Sequence, residues 1–290
     1  MQKKTVVLMW LTVGILGSIC QAGVNVGPRV VLATFYPIRL ALINLTAGVA
    51  GVEVISLATP ETGCLHDYQL TTRDMALLTK AEVMVVNGAG LEAFLDGVVH
   101  SRPGLKVIDA SAGIDLLVSG GVTNAHVWVS PVRHIRQIHN IADGLAGWDP
   151  GHAAQYQANA ALYIARLERL KKKMDAALRQ VRRRDIITFH EAFPYFADDF
   201  KLKIAGVIER EPGSSPSAAE MVSLIERVRS SGVKTIFVEP QYPAKVAQSI
   251  ARETGAGIFT LDPVVSGPDS PDAYIRIMEQ NIAELERALR

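Results

Sequence analysis

From residue 29 onward, short β-branched runs alternate with longer stretches of helical spacing. VVLATF (30–35), VEVISLA (52–58), EVMVVNG (82–88) and LKVIDA (105–110) read as strands, with helices near 37–47, 72–80 and 91–100. Such strand–helix alternation predicts βαβ units and a mainly parallel sheet. At Asp149-Pro150 the rhythm breaks: Asp suits a helix N-cap and Pro the first helical position. From there to about 182 the chain holds no proline after Pro150 and no glycine after Gly151. That predicts a helix of about 33 residues, or roughly 50 Å. Alternation then resumes with strands at DIITFH (185–190), KIAGVIE (203–209), VKTIFVE (233–239) and AGIFTLD (256–262), and helices near 218–230, 244–254 and 272–289. Within the loop EPGSSPS (211–217), Ser217 is placed to cap the next helix, with Glu220 as its capping-box partner. The predicted architecture is α/β: two lobes of mainly parallel sheet with flanking helices (23–148 and 185–290), joined by one long backbone helix (149–184).

Ahead of this pattern stands a different segment. Lys3 and Lys4 precede an apolar run, TVVLMWLTVGILGSI (5–19), and Cys20-Gln21-Ala22 supplies small residues for cleavage after Ala22. Residues 1–22 therefore read as an export signal, the run being short for a bilayer span. Lipidation at Cys20 is the alternative, though Ile19 is bulky for the position before a lipidated cysteine. Cleavage would remove two lysines and no acidic residue, shifting the formal charge from +1 to −1. No basic surplus points to nucleic acid. Only Cys64 would remain, so there is no disulfide framework; it reads as a small buried apolar residue rather than a thiolate ligand.

Four islands carry the chemistry: GCLHDYQL around His66, NAHVWVSP around His126, TFHEAFPYF around His190 and FTLDPV around Asp262. Each lies where an apolar run gives way to a turn or helix. In open parallel sheets, ligands bind beyond the carboxyl ends of the strands, and imidazole and carboxylate are ligands of divalent metals. His100, His134, His139 and His152 read as solvent-facing background. Two other patterns lead nowhere. His190-Glu191 opens HExxH, but the second histidine would fall at Pro194, which excludes a zincin. Gly88-Ala89-Gly90-Leu91-Glu92-Ala93, with Asp109 about 20 residues on, has the outline of a dinucleotide fingerprint, yet a tight turn needing glycine explains it equally.

The islands together resemble the periplasmic zinc and manganese solute-binding proteins of ABC importers, the ZnuA-like and TroA-like family (cluster A-I). The resemblance rests on FYPI (35–38), HDYQLTTRD (66–74), EVMVVNGAGLEAFLD (82–96), HVWVSP (126–131), FHEAFPYFA (189–197), EREPGSSPSAAE (209–220), FVEPQY (237–242) and TLDP (260–263), in order. It implies a monomeric, non-enzymatic, extracytoplasmic carrier that hands a divalent metal to a membrane permease. Its ligands would be His66, His126, His190 and Asp262, with Glu239 as a carboxylate behind them or an alternate ligand. One departure is that 111–124 holds no histidine, whereas zinc members often carry a histidine-rich loop there. Three imidazoles and one carboxylate favour Zn²⁺ over Mn²⁺, and four protein ligands would leave no open position for a reactive water. A manganese or iron member, a secreted zinc hydrolase with Asp262 or Glu239 as base, and a surface adhesin are the competing readings.

Overall fold

The computed structural model describes residues 27–59, 62–66, 68–208, 216–242 and 244–290. The export segment, Cys20 and most of the loop 211–217 lie outside the described residues. Among those described, no helix is long and apolar enough to cross a membrane.

Strands β1 (Arg29–Ala33), β2 (Val52–Ser56), β3 (Val83–Val86) and β4 (Lys106–Asp109) form a parallel sheet in the order β2-β1-β3-β4. A short antiparallel hairpin, β5 (Val118–Ser119) and β6 (Val122–Thr123), follows. Strands β7 (Asp185–Thr188), β8 (Lys203–Val207), β9 (Thr235–Val238) and β10 (Gly257–Thr260) make a second parallel sheet in the order β10-β9-β7-β8. In each sheet the order reverses beside the first strand, so switch points lie between β1 and β3 and between β7 and β9. Ligands of doubly wound sheets sit at such points.

The flanking helices are α1 (Tyr36–Leu45), α2 (Thr72–Lys80), α3 (Asp96–Ser101), α4 (Pro131–Trp148), α5 (Ala153–Arg179), α6 (Pro194–Phe200), α7 (Ala218–Ser231), α8 (Lys245–Thr254) and α9 (Ala273–Leu289). Helix α5 packs against α1, α4 and α9. One apolar core runs through both halves. Val31, Ala33 and Val85 of the first sheet, Tyr156, Leu167 and Met174 of α5, Ile186 of the second sheet, and Tyr274, Met278 and Leu285 of α9 all belong to it. The predicted capping box at Ser217 forms, with Ser217 Oγ accepting from Glu220 N–H and the Glu220 carboxylate accepting from Ser217 N–H.

Three departures from the sequence reading have physical causes. The long helix is interrupted: Pro150–His152 form a 3-10 turn and α5 begins at Ala153, with 27 residues and a length of about 40 Å. Asp149 does not cap it. Its carboxylate accepts from His152 Nδ1 (2.8 Å) and Tyr156 Oη (3.0 Å) and pairs with Arg29 Nη1 (3.2 Å). Those bonds give His152 a carboxylate partner while its side chain stays partly exposed. Helix α4 was not anticipated because its buried face includes His134 and Gln137 among Ile138, Ile141 and Leu145, which breaks the apolar stripe.

His134 is thus fully buried rather than solvent-facing. Its Nδ1 donates to Gln137 Oε1 (3.1 Å), and its ring stacks on Tyr274 at 4.4 Å. Burial pushes its pKa down from 6.5 to about 4, the Gln137 bond only partly opposing the shift. A folded pKa below the unfolded one means stability is complete above pH 6.5 and lost as pH falls towards 4. The loss should reach about 2 kcal/mol at pH 5 relative to pH 8. Denaturant unfolding of the wild type and His134→Phe at both pH values checks this: the substitution should remove that share of the difference.

Candidate metal centre

The second switch point supplies the first ligand. Thr188 of β7 pairs with Phe237 of β9, and two residues further along each strand stand His190 and Glu239. Parallel register therefore sets imidazole beside carboxylate. His190 Nδ1 donates to Glu239 Oε1 at 2.5 Å, and both side chains are buried. Gln241 Nε2 donates to the other carboxylate oxygen at 2.8 Å. With its Nδ1 proton so committed, His190 offers Nε2 as its coordinating atom.

His126 lies ahead of the 3-10 turn Val127–Val129 that leads into α4. Asn124 fixes it. Asn124 Oδ1 accepts from the His126 backbone N–H (3.0 Å) and from Nδ1 (3.2 Å), while its Nδ2 donates to the Glu191 carbonyl (2.8 Å). The amide orientation is thereby determined, and with it the tautomer: His126 also presents a bare Nε2. Tyr195 Oη donates to the Asn124 carbonyl at 2.7 Å, so one residue joins the His126 segment to the start of α6.

His66 sits in the loop after β2. Tyr68 Oη donates to Asp74 Oδ2 (2.9 Å), and Asp74 forms a capping box with Thr71 at the head of α2. These bonds pin the chain directly beyond His66. Its Nε2 lies 3.1 Å from His126 Nε2, and His190 Nε2 lies 3.1 Å from the same atom. Cys64 Sγ stands 3.6 Å from it. Ligand atoms of Cys64, His66, His126 and His190 all fall within 4.8 Å of one another. Burial, then the neighbouring His190 and His66, hold the His126 pKa well below 6.5. A nitrogen cluster of this kind, with His126 and His190 buried, is a ready receptor for a divalent cation.

Asp262, which follows β10, is not a member of that group. Its Oδ1 accepts from Val264 N–H (2.7 Å), and Asn281 holds its backbone on both sides. Burial, and then the nearby Glu239 charge, raise its pKa to about 6. The Asp262 loop is tied to the His126 segment by Trp128, whose Nε1 donates to the Pro263 carbonyl at 2.7 Å.

The profile of ZnuA, the periplasmic component A of the zinc-uptake complex, matches residues 31–288. The chain belongs to the ZnuA family. It is 28% identical over 280 residues to the high-affinity zinc uptake system protein ZnuA of Bacillus subtilis strain 168, covering 89% of this chain and 87% of that protein. The zinc-binding lipoprotein AdcA of Streptococcus pneumoniae TIGR4 is 27% identical over 278 residues, covering 89% of this chain. This chain spans about half (55%) of AdcA's length. Among solved structures, a ZnuA crystal structure superposes with a TM-score of 0.79 at 30% identity, covering 91% of this chain and all of the other. The Pseudomonas aeruginosa solute-binding protein FpvC in complex with Mn²⁺ gives 0.81 at 28% identity, covering 90% of this chain and 98% of that one.

Within this ZnuA-family chain, the sequence reading located His66, His126 and His190, and the fold brings those three together. It discounted Cys64, although the spacing Cys64-Leu65-His66 was the available signal. The roles of Asn124, Gln241 and Tyr195 depend on contacts 2 to 71 residues apart in the chain and have no local motif. The dinucleotide-like turn is filled by the protein itself. Glu92 accepts from the Asn87 and Gly88 amides (2.7 and 3.1 Å), where a phosphate would bind, and Thr34 Oγ1 donates to it as well. Gly88 adopts φ +79°, and a Cβ there would lie 1.9 Å from Asp109 Oδ1.

Glu239→Gln should weaken zinc binding on the order of ten- to hundredfold, because the amide no longer offers His190 a charged acceptor. Competition against a chromophoric chelator reads the change, and an unaltered affinity would mean that Glu239 does not tune the site.

Proposed function

We propose that this protein is the extracytoplasmic zinc-capturing component of an ABC importer, binding Zn²⁺ in a cleft between lobes 23–148 and 185–290 and delivering it to a membrane permease. Zinc is cargo here, and the protein is a carrier rather than an enzyme. The reading is carried by one observation: the Nε2 atoms of buried His126 and His190 face each other at 3.1 Å, each ring's Nδ1 being engaged elsewhere. Two ring nitrogens so placed can share one divalent cation. His66 adds a third nitrogen from the loop after β2, 3.1 Å from His126 Nε2. Membership of the ZnuA family and the zinc-binding relatives support the same conclusion.

Manganese is the second reading, favoured by the FpvC neighbour that holds Mn²⁺. Metal analysis and competitive titration of the purified protein separate the two. We expect one Zn²⁺ per chain, retained more tightly than Mn²⁺. Tighter retention of Mn²⁺ would overturn zinc as the cargo, and no tight divalent site would overturn the carrier itself.

A further inference from the structure

We propose that the Cys64 thiolate is a fourth protein ligand of this site, giving a His₃Cys set rather than one completed by a carboxylate. The proposal rests on the histidine-site reading above and names a ligand that reading does not contain.

The distances carry it. A tetrahedral zinc with Zn–N of about 2.05 Å and Zn–S of about 2.3 Å separates nitrogen from nitrogen by about 3.3 Å and nitrogen from sulfur by about 3.6 Å. The two nitrogen pairs made by His126 Nε2 measure 3.1 Å each and the Cys64 Sγ–His126 Nε2 pair 3.6 Å. Four ligand atoms within 4.8 Å of one another already outline the polyhedron. The local chain explains how. Cys64 and His66 flank Leu65, which is fully buried in the core. With the middle side chain turned inwards, its two neighbours project together towards His126. The Tyr68–Asp74 bond holds the loop in that position. Asp262 is placed differently: its Oδ1 is engaged by Val264 N–H, and its carboxylate lies outside the group.

On binding, a Zn–S bond forms and the thiol proton passes to solvent. A thiolate is a soft donor, which suits zinc and disfavours manganese. Cys64 would therefore determine selectivity as well as affinity.

Co²⁺ loaded into the purified protein in place of zinc provides the test. Cobalt–thiolate bonding produces an intense near-ultraviolet charge-transfer band that imidazole and carboxylate ligands do not. We expect this band in the wild type, and its loss in Cys64→Ser with one Co²⁺ still bound. Zinc affinity should fall at least about tenfold in that variant, with a much smaller change for Mn²⁺. Bound Co²⁺ without the band in the wild type would overturn the thiolate ligand and leave the histidine site standing. Absence of bound Co²⁺ and Zn²⁺ would overturn both. The wild-type spectrum decides the matter even where Cys64→Ser folds poorly, and Cys64→Ala serves as the second variant.

Discussion

Replacing His126 by alanine is expected to abolish tight zinc binding, with a loss well beyond the roughly hundredfold that accompanies changes behind a ligand. His126 Nε2 is the atom that His66, His190 and Cys64 all approach, at 3.1, 3.1 and 3.6 Å. Removing it takes away a ligand and the hub of the geometry together. His139→Ala, on the exposed side of α4, should leave zinc affinity as it is. Chelator competition, with melting temperatures of the metal-free proteins alongside, checks both. An affinity within a few-fold of wild type for His126→Ala would show that the cluster is not the binding site.

Trp128→Ala is expected to cost about 3–5 kcal/mol of stability, the range for truncating a fully buried aromatic residue. Three kinds of contact would be lost or disturbed. The indole packs edge-on against Phe35 at 4.8 Å, its Nε1 donates to the Pro263 carbonyl, and Tyr274 Oη donates to its backbone oxygen. Trp128→Phe should cost less, since much of the packing survives while the Pro263 carbonyl loses its partner, a loss of about 1–3 kcal/mol. Denaturant unfolding of both variants measures the difference. A Trp128→Phe variant as stable as the wild type would mean that the hydrogen bond contributes nothing. Because Trp128 lies two residues from His126 and holds the Asp262 loop, zinc affinity should decline in both.

These two residues also mark the limits of what the sequence discloses. The strands and the three histidines were legible because short β-branched runs end in polar residues where a parallel sheet presents ligands. His190 and Glu239 were each visible as strand-end residues. That they hydrogen-bond follows from the pairing of β7 with β9, which no local pattern specifies. Cys64 beside Leu65 reads locally as core, and its approach to His126, 62 positions away, is visible only in the fold. Helix α4 was hidden by a buried His134–Gln137 pair, and Gln137 passes the network on to Asn87. Asp149 read as a cap because Asp-Pro is a good local signal. Tyr156, His152 and Arg29 compete for the same carboxylate and prevail.

The continuous core shared by the two sheets and α5 has a consequence for how the molecule reports on itself. Neither sheet can melt while the other stays intact without exposing Leu167, Met174 and Tyr274, so heat should unfold the chain in one transition. An ion bound to the native state then stabilises everything at once, by about 4.1 kcal/mol when its free concentration is a thousand times its dissociation constant. The midpoint of thermal unfolding becomes a gauge of cargo occupancy, readable without any label on the metal.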